Sequence, residues 1–244
     1  MTKIIEIKNL NFYFPIYGQK KFIKHQTLQK LGGSINQKAG SLNVHALKNI
    51  NLVINKGEKV GLIGGNGAGK STLLMLIYGV YKHDTGSIKV KGDLSAIFDP
   101  VAAMELELDG ITNIYRLGLL LGETQKSIKK KLEQIVTDSN LENFINLPVR
   151  SYSSGMKLRL GFSVIINTVR DIILVDEFIT VGDAEFKNYA YKKIKEATGG
   201  NCTLLIATHS KNLLLQFTDR LILMNKGEII DDGNTKEMLI KYKI

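Results

Sequence analysis

A glycine-rich loop near residue 65 carries residues whose types and spacing suit phosphate binding. Glycines let backbone N–H groups approach phosphate oxygens, Lys70 adds a positive charge for the β- and γ-phosphates, and the Ser71 hydroxyl can bind Mg²⁺. An apolar strand is expected over 59–63 and a helix over 71–78, which is the setting that this chemistry requires. The sequence therefore predicts a nucleotide-binding loop made of Gly64, Gly65, Asn66, Gly67, Ala68, Gly69, Lys70, Ser71 and Thr72.

Two adjacent acids, Asp176 and Glu177, end the apolar segment 172–175. A carboxylate at the end of a buried strand is costly without a cation, so Asp176 is predicted to hold Mg²⁺, directly or through water. Glu177 is placed to orient or deprotonate the water that attacks the γ-phosphate. Without a phosphate loop upstream, such a pair would more often be a solvated strand end.

A second loop, Tyr152–Met156, precedes a predicted helix over 156–167. A serine in this loop can simply cap the helix, but a helix N-terminus with free N–H groups also binds phosphate. The predicted nucleotide contacts of this loop are Ser153, Ser154, Gly155 and Met156.

His209 follows the apolar segment 204–207. An isolated histidine in that position is usually structural. In this context it is predicted to contact the γ-phosphate and to sense its presence.

Apolar periodicity indicates which elements position these loops. Apolar and polar residues alternate around Ile5 and Ile7 and again over 50–54, which predicts strands. The continuous apolar segments 172–175 and 204–207 suit strands buried on both faces of a parallel sheet. Residues 221–230 are expected to form a closing hairpin.

Helices are expected over 112–167, where one apolar face recurs at helical spacing. That face consists of Ile128, Leu132, Ile135 and Val136. Residues 15–45 are predicted to interrupt the opening sheet with an insertion that contains a short amphipathic helix. The residues of that helix are Phe22, Ile23, Leu28 and Leu31.

Bulk composition restricts the classes of function. At 244 residues and 44% hydrophobic, the chain suits one α/β domain, and its one cysteine, Cys202, excludes an internal disulfide. We expect no signal peptide and no membrane-spanning segment, so any membrane role is peripheral. The net charge is +10, and residues 1–60, with ten lysines and two glutamates, contribute +8 of it. That basic part is either a solvated face or a contact for anionic lipid or substrate; no nucleic-acid readout motif supports nucleic-acid binding.

The order of these motifs resembles that of ABC-transporter ATP-binding subunits along essentially the whole chain. Walker A corresponds to residues 64–72, the signature loop to 152–156, Walker B to 172–177 and the switch histidine to His209. The usual signature reads L-S-G-G-Q, whereas this chain has Y-S-S-G-M and, after Walker B, V-G-D-A-E-F. Both variants resemble the subfamily that exports O-antigen, capsule and teichoic-acid polysaccharides.

This resemblance implies an α/β fold with a P-loop NTPase (RecA-like) core. Its sheet is mainly parallel, and an antiparallel β subdomain and an inserted helical subdomain complete it. We expect a single domain over 1–244, divided into 1–93, 94–167 and 168–244.

The resemblance also adds residues to the predicted site. Phe14 is expected to stack on adenine, although Tyr13 is close enough in sequence to compete for that role. Asp99 stands where most members have a glutamine and is expected to reach Mg²⁺ or the attacking water. Asp183, in the stretch after Walker B, joins the nucleotide-binding residues.

The implied activity is ATP hydrolysis with Mg²⁺ in a homodimer, driving an integral-membrane permease that exports a lipid-linked polysaccharide. The subunit would lie on the cytoplasmic face of the cell (inner) membrane, peripherally, and would meet the polysaccharide only through the permease. An extra carbohydrate-binding domain, found in some O-antigen exporters, is not expected. The alternatives are an ABC ATPase for another transported substrate, a soluble ABC ATPase acting on nucleic acid or ribosomes, and a non-hydrolysing ATP-gated module.

Overall fold

The computed structural model describes residues 2–16, 34–38, 41–99, 101–168, 170–176 and 184–243. The amphipathic helix predicted around residues 22–31 lies outside them. The chain divides into two compact units, of which the first comprises Met1–Gly92 and Thr203–Ile244 and the second Asp93–Cys202. The finer division at 93 and 167 stays a prediction.

Strands and helices alternate along the described chain. The strands of the first unit are β1 (Lys3–Ile16), β2 (Ser34–Lys38), β3 (Ser41–Asn55), β4 (Lys59–Ile63), β5 (Thr85–Val90), β8 (Thr203–Ala207), β9 (Arg220–Asn225) and β10 (Glu228–Asn234), and its helices are α1 (Lys70–Tyr78), α6 (Lys211–Phe217) and α7 (Thr235–Lys241). The second unit contains β6 (Leu94–Ile97), α2 (Gly110–Leu120), α3 (Gln125–Ser139), α4 (Ser154–Asn167), β7 (Ile172–Asp176) and α5 (Ala184–Ala197).

An antiparallel sheet of order β2-β3-β1-β5 opens the first unit. The alternating apolar residues pair across it as predicted, Ile5 with Ile54 and Ile7 with Leu52, and all four are buried. Burying one apolar face in this way fixes the register, since a slip by one residue would turn that face to solvent.

The prediction that residues 15–45 interrupt this sheet is wrong in part. β1 continues to Ile16, and near its end Phe14 pairs with Val44 of β3. On the other side of β3, Ile35 of β2 pairs with the same Val44. The β-branched and aromatic residues of these segments suit a pleated sheet. The lysines and glycines that suggested a loop lie mostly in 17–33, outside the described residues.

A second group of strands in this unit, ordered β10-β9-β4-β8, positions the phosphate loop. β4 runs parallel to both β8 and β9, and the apolar residues of β4 and β8 are buried, as the continuous apolar segments predicted. β4 ends at Ile63, directly before Gly64, and β8 ends at Ala207, two residues before His209. Because parallel strands end at the same edge of a sheet, His209 is brought to the glycine loop.

The turn between β9 and β10, predicted as part of a hairpin, holds the phosphate loop against β3. The Gly227 N–H donates to the Ala68 carbonyl (3.0 Å), and the Lys48 N–H donates to the Gly227 carbonyl (2.8 Å). Gly227 has φ +84°, and a Cβ there would lie 2.4 Å from the Ala46 carbonyl oxygen. The close approach of three chain segments therefore requires glycine at this position.

Helices α2, α3 and α4 of the second unit pack on a shared apolar core. Ile128 and Ile135 of α3 are buried in it, and Leu132 and Val136 pack against it from the same face, as the spacing predicted. The predicted helical region 112–167 is confirmed for α2, α3 and α4, but residues 140–153 between α3 and α4 form turns and one short 3₁₀ segment. β6 and β7 form a parallel pair in which Ile97 is opposite Val175.

Gly227→Ala should destabilise the chain far more than Gly79→Ala. Both glycines have similar φ angles, +84° and +90°, but a Cβ at Gly79 meets no atom within 4 Å. Gly79→Ala should therefore cost only the left-handed backbone penalty of about 1 kcal/mol, whereas overlap with Ala46 should raise the cost of Gly227→Ala to roughly 3 kcal/mol. Urea unfolding measures both values, and equal losses would show that the turn does not press on β3.

Candidate functional site

The phosphate loop follows β4 and leads into α1 through glycines that the packing requires. A Cβ at Gly64 would lie 2.1 Å from the Met224 carbonyl oxygen, and one at Gly69 would lie 2.7 Å from Leu47 Cδ2. Gly69 also has φ +103° and is the N-cap of α1. Gly65 by contrast is exposed, with no atom within 4 Å of a Cβ placed there. The two ends of the loop are fixed by contact while its centre faces solvent.

The Lys70 ammonium group lies inside this loop. The residue is only 8% exposed, and Nζ donates to the carbonyl oxygens of Gly64 (2.8 Å) and Gly65 (3.3 Å). Nζ is also 3.2 Å from His209 Nε2. An ammonium group has donors and no acceptor, so we infer that His209 accepts through the Nε2 lone pair and carries its proton on Nδ1. Lys70 and His209, predicted separately from sequence, therefore share one hydrogen-bonded group.

A cavity of about 360 Å³ adjoins this group. Its lining residues are Ile63, Gly64, Gly65, His209, Leu223 and Tyr242. No sequence pattern indicates a role for Tyr242, which follows α7 and packs near Ile63. Its hydroxyl donates to Asp231 Oδ2 (2.7 Å), and this hydrogen bond raises the pKa of the phenol. The polar end of the ring is thus held by Asp231.

Ser71 and Thr72 occupy the first turn of α1, and Ser71 is exposed there. A free N-terminal turn and an exposed hydroxyl beside a glycine loop fit an anionic phosphate and its Mg²⁺. The described geometry of the loop therefore agrees with nucleotide binding.

In the second unit, the loop Tyr152–Met156 begins α4 as predicted. Ser153 is the N-cap, and its Oγ accepts a hydrogen bond from the Met156 N–H (3.2 Å). Ser153 and Ser154 are exposed, while Gly155 and Met156 are half-buried. The capping role is confirmed, and the contact with phosphate stays a prediction.

Tyr152 has a structural role that the sequence did not reveal. The side chain is 4% exposed, and its hydroxyl donates to the Phe144 carbonyl (2.8 Å). A Cβ at Gly110 would lie 2.7 Å from Tyr152 Oη, so the ring reaches the start of α2. Burial raises the pKa of the Tyr152 phenol. The tyrosine that replaces the usual leucine thus ties the start of α4 to two neighbouring segments.

Asp99 lies two residues after the end of β6, and Asp176 is the last residue of the neighbouring parallel strand β7. Because Ile97 is opposite Val175, both acids lie at the same edge of this pair. Asp99 is exposed, and its Oδ1 accepts from the backbone N–H groups of Val101 (3.0 Å) and Ala102 (3.2 Å). This oxygen therefore caps the following turn. The Mg²⁺ roles of both acids stay predictions, and Glu177 and Asp183 lie outside the described residues.

The aromatic residues near the end of β1 differ in their surroundings. The Phe14 ring contacts Phe12 edge-on (4.8 Å between centroids) and Tyr81 (5.4 Å). Tyr13 stacks on His45, with centroids 4.1 Å apart. Stacking on adenine by Phe14 remains a prediction, and the Tyr13 ring already has a stacking partner.

Tyr152→Phe should lower the free energy of unfolding by about 1 kcal/mol, because the hydrogen bond from the Tyr152 hydroxyl to the Phe144 carbonyl is lost. The pKa of the Tyr152 phenol is raised, so the folded state favours the neutral ring and its stabilisation is lost as pH rises above about 10. The difference between wild type and variant should accordingly be constant near neutral pH and shrink at alkaline pH. Urea unfolding at several pH values measures it; Tyr115→Phe, in the same core, is the control. A difference that does not change with pH would contradict this account.

Comparison with known proteins places these features in one family. The ABC transporter family model matches residues 47–180. The O-antigen export system ATP-binding protein RfbE of Yersinia enterocolitica is 37% identical over 236 residues, which are 96% of this chain and 98% of that protein. The O-antigen export system ATP-binding protein RfbB of Klebsiella pneumoniae is 33% identical over 250 residues, which are 100% of this chain and 98% of that protein. The teichoic acids export ATP-binding protein TagH of Lactococcus lactis is 40% identical over 198 residues, which are 81% of this chain and 42% of that protein.

Solved structures agree on the fold. A dimeric ATP-binding cassette bound to ADP and Pi matches 95% of this chain and 99% of its own, with a TM-score of 0.73 at 19% identity. An ATP-binding subunit of an ABC transporter matches 98% of this chain and 93% of its own, with a TM-score of 0.74 at 18% identity. The predicted α/β fold of an ATP-binding cassette is thereby confirmed.

The described helices include none that is long and apolar enough to cross a membrane. The family match, the full-length similarity to export ATP-binding proteins and the phosphate loop agree with one another. The chain therefore belongs to the ABC transporter family, as a subunit that binds and hydrolyses ATP.

Proposed function

We propose that this ATPase drives the export of a lipid-linked cell-surface polysaccharide, such as O-antigen, across the cytoplasmic membrane. The ATP-dependent part of this proposal is supported by one observation, the contact between Lys70 and His209 inside the glycine loop. The substrate class is supported by the O-antigen export relatives, which this chain covers to 98% of their length.

Within one subunit, the glycine loop and Lys70 bind the β- and γ-phosphates, and Phe14 stacks on the adenine. Ser71 of the first unit and Asp176 and Asp99 of the second are the groups that would hold Mg²⁺, which would neutralise the charge of the phosphates. Such a site needs few protein ligands, because Mg²⁺ takes its other oxygens from phosphate and water. The described residues contain no group of three or more His, Cys, Asp or Glu arranged to hold a metal alone.

Nucleotide binding changes the partners of Lys70. The ammonium group is attracted to the phosphates more strongly than to the carbonyl oxygens of Gly64 and Gly65, since the phosphates carry full negative charge. As Lys70 turns to the phosphates, His209 Nε2 is released from it, and the neutral ring can carry its proton on Nε2 instead of Nδ1 and donate it in a hydrogen bond to the γ-phosphate. Glu177 then orients or deprotonates the attacking water.

Two copies bind two ATP molecules head to tail. The Ser153–Met156 loop of one copy faces the γ-phosphate held by Lys70 of the other, with Asp183 beside it. The exposed serines and free N–H groups at the start of α4 suit this contact. ATP therefore favours the closed dimer, because this loop meets phosphate only when both copies are present, and hydrolysis reopens it.

Closure of the dimer drives an integral-membrane permease, and the ATPase lies peripherally on the cytoplasmic face of the inner membrane. The permease contacts the polysaccharide, so this chain meets the transported substrate only indirectly.

Glu177→Gln should retain ATP binding, trap the dimer and carry its membrane partner with it. We would purify tagged Glu177→Gln chain with ATP from detergent-solubilised native membranes and identify the proteins that accompany it. We expect a multi-span permease of the polysaccharide-export type, because slow hydrolysis keeps the ATP-bound dimer closed.

The control combines Glu177→Gln with Lys70→Ala, which should abolish the dimer by removing the phosphate contact. Recovery of ribosomes or nucleic acid without a membrane protein would overturn the transport function while leaving the ATPase assignment intact. Rapid turnover by the Glu177→Gln chain would overturn the role given to Glu177.

A further inference from the structure

The carboxylate of Asp138 is buried in the second unit, away from the residues assigned to nucleotide binding. Its side chain is 7% exposed, and it pairs with Lys193 Nζ at 3.1 Å. Gln134 Nε2 donates to Oδ1 (2.9 Å) and Asn167 Nδ2 donates to Oδ2 (2.8 Å). The carboxylate therefore joins three helices, since Asp138 and Gln134 lie in α3, Asn167 in α4 and Lys193 in α5.

This position is costly for an acid. Asp138 lies in the last turn of α3, where the helix dipole disfavours a negative charge. Burial raises the pKa of the carboxyl, but the hydrogen bonds from Asn167, Lys193 and Gln134 outweigh it and bring the pKa below its usual value. The charge is stabilised only as long as the helices keep their arrangement, so the pair opposes relative movement of α3, α4 and α5.

Tyr189 of α5 adds to this group. Its ring lies 5.8 Å from Lys193 Nζ, and its hydroxyl is buried without a hydrogen-bond partner among the described residues. Burial and the neighbouring Asp138 carboxylate raise the pKa of the phenol. The hydroxyl therefore stays neutral.

α4 and α5 also contact each other directly through aromatic side chains. Near the start of α5, the Phe186 ring meets Phe162 edge-on (5.6 Å between centroids) and lies 6.0 Å from the Arg159 guanidinium. Tyr189 also contacts Phe162, at 6.1 Å. Asp138 links the same two helices at a second place, because it binds Asn167 at the end of α4 and Lys193 of α5.

Each of these helices begins at residues important for ATP hydrolysis. The Ser153–Met156 loop starts α4, and α5 begins at Ala184, directly after residues 177–183, which include Glu177 and Asp183. A change in the angle between α4 and α5 would therefore move the N-terminal ends of both helices apart.

We propose that the Asp138–Lys193 pair, in which the carboxylate is buried and the ammonium group half-buried, acts with Asn167 as a positioning device that keeps the Ser153–Met156 loop and the start of α5 in one fixed relation. The inference rests on the proposed ATP-driven dimer, because there α4 begins at the loop that faces the partner's nucleotide, whereas α5 follows the residues that act on the chain's own nucleotide. Asp138 and Lys193 are positioning residues and touch neither nucleotide nor Mg²⁺.

Lys193→Met tests this device, with Lys192→Met on the exposed side of the same helix as the matched control. Each substitution is made in the full chain, alone and with Glu177→Gln. We expect Lys193→Met to lower kcat about three- to tenfold and to raise, by a similar factor, the ATP concentration needed for the Glu177→Gln dimer. The Kd of the monomer for ATP should change less than about twofold, because Lys70 and the phosphate loop belong to the other unit. Lys193→Arg, which keeps the charge, should restore both values.

Unchanged kcat and dimerisation in a Lys193→Met chain that has lost thermal stability would overturn the inference and leave a purely structural ion pair. A matching loss in Lys192→Met would overturn it as well. If Lys193→Met does not fold, Asp138→Asn, which keeps the shape of the side chain, must show the same split between kcat and Kd. Failure of Glu177→Gln alone to dimerise with ATP would instead overturn the proposed function.

Discussion

A buried ammonium group needs hydrogen-bond acceptors, and this requirement organises the phosphate loop. Lys70 finds acceptors in the carbonyl groups of Gly64 and Gly65 and in His209 Nε2. These groups are available because β4 and β8 are adjacent, parallel and of matching length, so that their following residues meet at one edge. The anchoring of the loop by the turn at Gly227 keeps those carbonyl groups in place. Through these contacts the Lys70 ammonium group is held inside the loop.

The residues assigned to ATP hydrolysis are divided between the two units. The first unit contains the glycine loop and His209, and the second contains the Ser153–Met156 loop, Asp99 and Asp176. Each set is positioned by its own unit's packing: parallel strand ends in the first, and parallel strand ends together with the capped helix α4 in the second. In the second unit, Tyr152 of the signature loop and the Asp138 group, which lies outside the motifs, contact the two ends of α4.

Motifs and periodicity were enough to predict the glycine loop, the buried parallel strands and the capped start of α4, because these depend on residues close in sequence. His209 could be placed beside the loop because the order of strands in such a sheet is restricted. The roles of Tyr152, Tyr242 and Asp138 could not be predicted, since their partners at Phe144, Asp231 and Lys193 follow no local pattern. The error over 15–45 has a related cause. Lysines and glycines predict a loop there, but the residues that flank them pair with neighbouring strands, and no local pattern indicates those partners.

The most direct test of this account is ¹⁵N NMR of the His209 ring in the full chain, first without nucleotide and then with Mg²⁺ and ATP in the Glu177→Gln variant. The contact with Lys70 predicts that Nε2 carries no proton without nucleotide, with the proton on Nδ1. After ATP binds and Lys70 turns to the phosphates, Nε2 should become protonated and donate to the γ-phosphate. A ring that carries its proton on Nε2 from the start, and does not change when ATP binds, would contradict the exchange of partners on which the proposed mechanism depends.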